Sequence, residues 1–98
     1  MTQHDFAPLF DLYPGIIHRM PNEFTSHQFI LSLAQAQQLE YINALNDYRG
    51  LRTAPFRRVH AILAKHLKAY PDLVIFIRME SSTNIFGKRN ACARWRKV

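Results

Sequence analysis

Residues 24–50 read FTSHQFILSLAQAQQLEYINALNDYRG, and this stretch decides the fold. At about 100° per residue, Ile30, Leu33, Ala34, Gln37, Tyr41, Ala44, Leu45 and Tyr48 fall on one stripe about 120° wide, the signature of an amphipathic helix. Thr25 is placed to cap the first turn, and Gln28, three residues on, can reach back to the Thr25 N–H. Phe24 and Phe29 flank that cap at the spacing of a hydrophobic staple. Gly50 supplies a stop by taking the left-handed conformation. The expectation is one helix over about 25–49, close to 36 Å long at ~1.5 Å per residue. Leu31, Leu39 and Ile42 lie off the stripe. They are expected under an N-terminal arm, or alternatively in a homodimer contact.

Downstream, Thr53-Ala54-Pro55 starts a second helix over about 55–70, with Pro55 near the first helical position, where its missing N–H costs nothing. Its apolar stripe is Phe56, Val59, Ile62, Leu63, His66, Leu67 and Tyr70, and Pro71 ends it. The short connection from Leu51 to Ala54 makes the two helices neighbours with a change of direction. Upstream, residues 1–24 carry Pro8, Pro14 and Pro21, which prevent a long helix. Phe6, Leu9, Phe10, Leu12, Tyr13, Ile16 and Ile17 make this an irregular apolar arm packed on the body, with a helical turn near Pro8–Tyr13.

The last third is less regular. Leu73, Ile75, Ile77 and Met79 alternate with Val74, Phe76, Arg78 and Glu80, which reads as a strand. Ala91, Ala93 and Trp95 alternate with Arg94 and Arg96 more weakly. A β-hairpin with a long basic loop over Ser81–Asn90, plugged by Ile85-Phe86, is preferred over two short helices. The whole is expected to be a single α+β domain over 1–98: two main helices and a C-terminal hairpin, winged-helix-like.

Composition supports a foldable chain. Of 98 residues, 48% are hydrophobic and 20% charged, which excludes compositional disorder. The single cysteine, Cys92, excludes a disulfide scaffold and points to a reducing compartment. No Lys or Arg precedes Arg19, so the N-terminal stretch does not read as a signal peptide. The longest apolar run, Leu73–Ile77, is far short of the ~20 residues that span a bilayer. A cytoplasmic protein without membrane contact is expected.

The charge is uneven. Residues 1–48 hold one base against five acids, and residues 49–98 hold twelve bases against two acids. Arg57, Arg58, Lys65 and Lys68 share one face of the second helix, with small Ala61 and Ala64 between them. Lys88, Arg89, Arg94 and Arg96 follow Glu80 with no acid after it. Such cations neutralise phosphates, and adjacent Phe86 or Trp95 could stack on a base, although a tryptophan here reads first as core.

Catalytic and metal patterns are weak. His60 and His66 are six apart, off a common helix face, and read as core histidines with hydrogen-bond partners. Cys92 reads as a buried structural residue. There is no phosphate-binding glycine loop and no nucleophile elbow. The expectation is a non-enzymatic nucleic-acid-binding domain, contacting DNA phosphates through Arg57, Arg58, Lys65, Lys68, Lys88, Arg89, Arg94 and Arg96, with no cofactor and no metal. The alternative is a protein-interaction module, an adaptor, inhibitor or small subunit, docking on an acidic partner surface.

Overall fold

Thr25 acts as its spacing predicts. In a computed structural model, which describes residues 4–50 and 54–98, Thr25 Oγ1 accepts from the Gln28 N–H at 3.2 Å, and the Thr25 N–H donates to Gln28 Oε1 at 2.8 Å. The Phe24 and Phe29 rings lie 6.1 Å apart across this capping box. Replacing Thr25 by alanine removes one half of the box and a buried methyl. We expect a loss of about 1–2 kcal/mol in urea unfolding.

The helix that begins there is two helices. α3 spans Ser26–Ala36 and α4 spans Gln38–Asp47, with Gln37 between them at φ −139°, ψ 72°. This corrects the single 25–49 helix. Neither proline nor glycine marks the break; packing imposes it. α3 buries Phe29, Ile30 and Leu33, whereas α4 buries Ala44, and Tyr48 follows it into the core. A straight ~36 Å rod would equal the 37 Å long axis of the molecule and could not hold both faces on one core. Gly50 is not left-handed; among the described residues only Gly87 has a positive φ. The 51–53 part of the connection lies outside the described residues.

The N-terminal segment also differs from an irregular arm. It forms two short helices, α1 at Ala7–Phe10 and α2 at Tyr13–Arg19, each with its proline in the first two positions. Prolines that forbid a long helix start short ones. Phe6, Leu9, Tyr13, Ile16, Ile17 and Met20 are buried, and the Tyr13 hydroxyl donates to the Leu63 carbonyl at 2.6 Å. This segment does not cover Leu31, Leu39 and Ile42, which are 42%, 65% and 57% exposed.

α5 spans Pro55–His66 and runs into a 3₁₀ turn at Leu67–Ala69. Val59, Leu63 and Leu67 are fully buried. The chain ends in a hairpin of β2, Val74–Thr83, and β3, Arg89–Lys97. A strand that the sequence reading missed, β1 at Glu23–Thr25, pairs with β3, so the antiparallel sheet runs β1-β3-β2. Ile77 is a bulge in β2, between the pairs Phe76↔Trp95 and Arg78↔Arg94. The long loop expected over Ser81–Asn90 is mostly strand. The turn is confined to Asn84–Lys88, where Asn84 Oδ1 accepts from the Phe86 and Lys88 N–H groups and Gly87 takes φ 80°.

The fold is thus α+β, with helices on the core and a terminal ribbon. Only Val74 of β2 is buried, whereas β3 buries Cys92 and Trp95, so it is the outer strand of the ribbon that lies open along most of its length. Among the described residues no helix is long and apolar enough to cross a membrane.

Candidate functional site

The turn of the ribbon leans back on α5. Phe86 packs edge-to-face on Phe56, with centroids 4.5 Å apart. Its ring also lies parallel to His60, within 3°, at 6.0 Å. That contact and the Leu67–Val74 connection frame a groove of about 1420 Å³ between α5 and the hairpin, with Ser26, His27 and Ile30 of α3 and Trp95 also in its lining. Small-ligand pockets usually enclose about 300–1,000 Å³, so this groove is larger than a metabolite needs.

The sequence-predicted cations divide into three groups. Arg57, Lys65 and Lys68 from α5 and its 3₁₀ extension, and Lys88 from the turn, line the groove. The two segments that the sequence separates by some twenty residues therefore meet on one concave surface. Arg58, Arg89 and Arg96 are exposed but lie outside the lining. Among the described residues none of these seven has a carboxylate within ion-pair reach.

Arg94 is different. Its Nε and Nη2 donate to the two Glu80 oxygens at 2.7 and 2.9 Å, and its Nη1 reaches Glu23 at 3.5 Å. These hydrogen bonds hold Glu80 below the usual carboxylate range and raise Arg94 above its own. A fork–fork pair of this kind holds β1, β2 and β3 in register. Arg94 thus already has carboxylate partners within the sheet.

What the sequence reading missed is the apolar floor. Phe56, Ile75, Phe76, Met79 and Phe86 are between 41% and 59% exposed, and all line the groove. The available signal was in β2, where Val74 and Phe76 are apolar alongside Ile75, Ile77 and Met79. A strand with one buried face needs only one such set. Trp95, by contrast, is 4% exposed and donates from Nε1 to Ser26 Oγ at 3.0 Å. It is a core residue and offers no stacking face.

Both α5 histidines have tyrosine partners. His66 Nε2 lies 3.3 Å from the Tyr70 hydroxyl, and its ring stacks on Phe10. His60 Nε2 lies 2.6 Å from the Tyr41 hydroxyl. Burial lowers His60 to about 4, with His27 adding a smaller like-charge effect, and burial pushes Tyr41 up to about 12. Folded His60 is therefore neutral at pH values where the unfolded imidazole, near ~6.5, takes up a proton. The unfolded chain binds more protons there, so stability falls as pH drops from about 6.5 toward 4 and is unaffected above that window. We expect His60 to account for a loss of about 1–2 kcal/mol between pH 7 and 4.5, allowing for the solvent screening of a partly open ring. Urea unfolding of His60→Gln should lack that share of the pH dependence.

Cys92 is buried and unpaired. Among the described residues no group of three or more His, Cys, Asp or Glu could hold a metal ion. No protein-family model, curated protein or solved structure matches this chain.

Proposed function

We propose that the chain is a non-enzymatic nucleic-acid-binding domain that contacts DNA phosphates from α5 and the turn of the β2–β3 ribbon. One observation carries the reading: Arg57, Lys65, Lys68 and Lys88 converge on one groove, and among the described residues none has a carboxylate within ion-pair reach. Arg58, Arg89 and Arg96 extend the positive surface beyond the rim, and the formal net charge of +6 favours encounter with a polyanion. Arg94 keeps a structural role. The likeness to a winged helix, a helix beside a terminal β-ribbon, is one of architecture alone and carries no function by itself. The reading needs no cofactor and belongs to the cytoplasm, where the lone thiol of Cys92 stays reduced.

Fluorescence anisotropy with a labelled oligonucleotide across a salt series tests it. Four phosphate contacts give log K against log salt a slope of about −3.6 on duplex DNA. Binding that is absent, or indifferent to salt, overturns the reading.

A second reading has its own observation. Leu39 and Ile42 project from α4 at 65% and 57% exposure, with Leu31 nearby in sequence on α3 at 42%. Such a surface suits a protein contact, either with a second copy of the chain or with a partner whose acidic surface also meets the groove rim. Light scattering of the wild type and of Leu39→Asp separates these readings: a dimer that the substitution dissociates supports the contact.

A further inference from the structure

We infer that the groove takes an unpaired nucleic-acid strand, with phosphates on its cationic rim and bases against its aromatic floor. This rests on the nucleic-acid reading and names its ligand. The rim alone would suit any phosphate polymer. The floor is the discriminating feature: Phe56, Phe76 and Phe86 are 41%, 50% and 51% exposed, and Met79, which lines the same groove, is 59% exposed. An apolar surface of this kind gains little from a duplex, whose bases are already stacked on one another and which presents mainly phosphates, sugars and base edges. An unpaired strand offers both chemistries at once, charge along its backbone and a π-face on every base.

The placement of Phe86 fits this role. His60 lies parallel to one side of the ring and Phe56 meets it edge-on, so the ring is held at a fixed angle while half of it stays exposed. A base laid on the open face continues a stack that His60 begins. Stacking of this kind tolerates any base, so little sequence preference is expected. Along the helical wall, Arg57 and Lys68 are eleven residues apart, about 16 Å at ~1.5 Å per residue, which is room for several nucleotides. Lys88 faces them from the turn of the ribbon, so cations line the groove from both of its walls.

The test is anisotropy with the full chain and two fluorescein-labelled probes, dT12 and a 12-base-pair duplex, at equal salt. The strand should bind at least tenfold more tightly than the duplex. Phe86→Ala should weaken the strand by roughly tenfold and leave the duplex unchanged. Phe76→Ala, outside the turn, should do the same, so a folding defect at the turn cannot mimic the result; circular dichroism confirms that both variants fold. If the duplex binds as tightly as dT12, or if neither substitution separates the two probes, the strand inference fails while the nucleic-acid reading stands. If neither probe binds in a salt-sensitive way, both fail. If the aromatic residues are instead required for an acidic amphipathic Glu/Leu peptide and dT12 does not bind, the groove is a protein site and the inference is overturned.

Discussion

Replacing Trp95 by alanine lowers the unfolding free energy by about 3–5 kcal/mol, the usual cost of deleting a buried aromatic. Trp95 is 4% exposed and sits in the middle strand of the sheet, between Phe24 of β1 and Phe76 of β2. Its indole N–H donates to Ser26 Oγ, and that hydroxyl donates on to the Ala93 carbonyl at 3.4 Å. One side chain therefore joins all three strands to the start of α3. Domains of this size are stable by about 5–15 kcal/mol, so the loss is a large part of the total. Trp95→Phe keeps most of the volume but removes the indole donor and part of the buried ring, and should cost about 1–2 kcal/mol. Urea midpoints of the two variants measure both. A Trp95→Ala loss under about 1 kcal/mol would mean that the sheet is held some other way. The effect reaches the groove, because β2 buries only Val74 and depends on β3 for its place.

The parts of this fold that were legible in the sequence are the local ones. Thr25, Gln28, Phe24 and Phe29 act within one turn of each other, so their spacing alone specifies the capping box and staple. Pro55 likewise marks the start of α5. The break at Gln37 was not legible, because Ala34-Gln35-Ala36-Gln37-Gln38 is good helix-forming sequence and only the shape of the core turns the chain there. Pro8 and Pro14 do exclude a long helix, and the helical turn expected near Pro8–Tyr13 is there as α1; what the reading lacked is that Pro14 also starts a helix, α2. β1 has only three residues, too few for alternation to register, and it exists because β3 offers it a hydrogen-bonding edge. The polar run Ser81-Ser82-Thr83 looked like loop, yet its backbone is paired with Arg89, Asn90 and Ala91.

The site divides in the same way. Cations are visible in any sequence, and α5's helical period was enough to put Arg57, Lys65 and Lys68 together. That Lys88 joins them follows from the turn closing on Phe56 and His60, a long-range contact with no local signal. The withdrawal of Arg94 depends on strand register. The stretch after Glu80 holds no acid, but antiparallel pairing returns Arg94 to a position diagonal to Glu80 and beside Thr25, with Glu23 within reach. The floor was hidden for another reason. Apolar residues on a helix or strand are counted as core, and only coordinates reveal that Phe56, Phe76 and Met79 lie at the edge of that core and face a gap.

Replacing Arg57, Lys65, Lys68 and Lys88 together by alanine weakens nucleic-acid binding by about 10³-fold at 0.1 M salt and flattens its salt dependence. The magnitude follows from counterion release. Four phosphate contacts contribute about 3.6 units of slope on a duplex or about 2.8 on a single strand, and one decade below molar salt turns the slope directly into decades of affinity. All four side chains are exposed and have no carboxylate partner among the described residues, so the fold should lose little, within about 0.5 kcal/mol per site. Arg94→Ala provides the opposing control. It removes the fork on Glu80 and loosens the three-stranded register, so it should lower the urea midpoint while leaving the salt slope as it was. The two variants therefore dissociate binding from folding. If the quadruple variant keeps the wild-type slope and Arg94→Ala loses it, the phosphates lie on the sheet and not in the groove. Net charge alone predicts a graded effect from any cation removed, including Arg58, Arg89 and Arg96. The groove predicts that those three change affinity much less than the four on the rim.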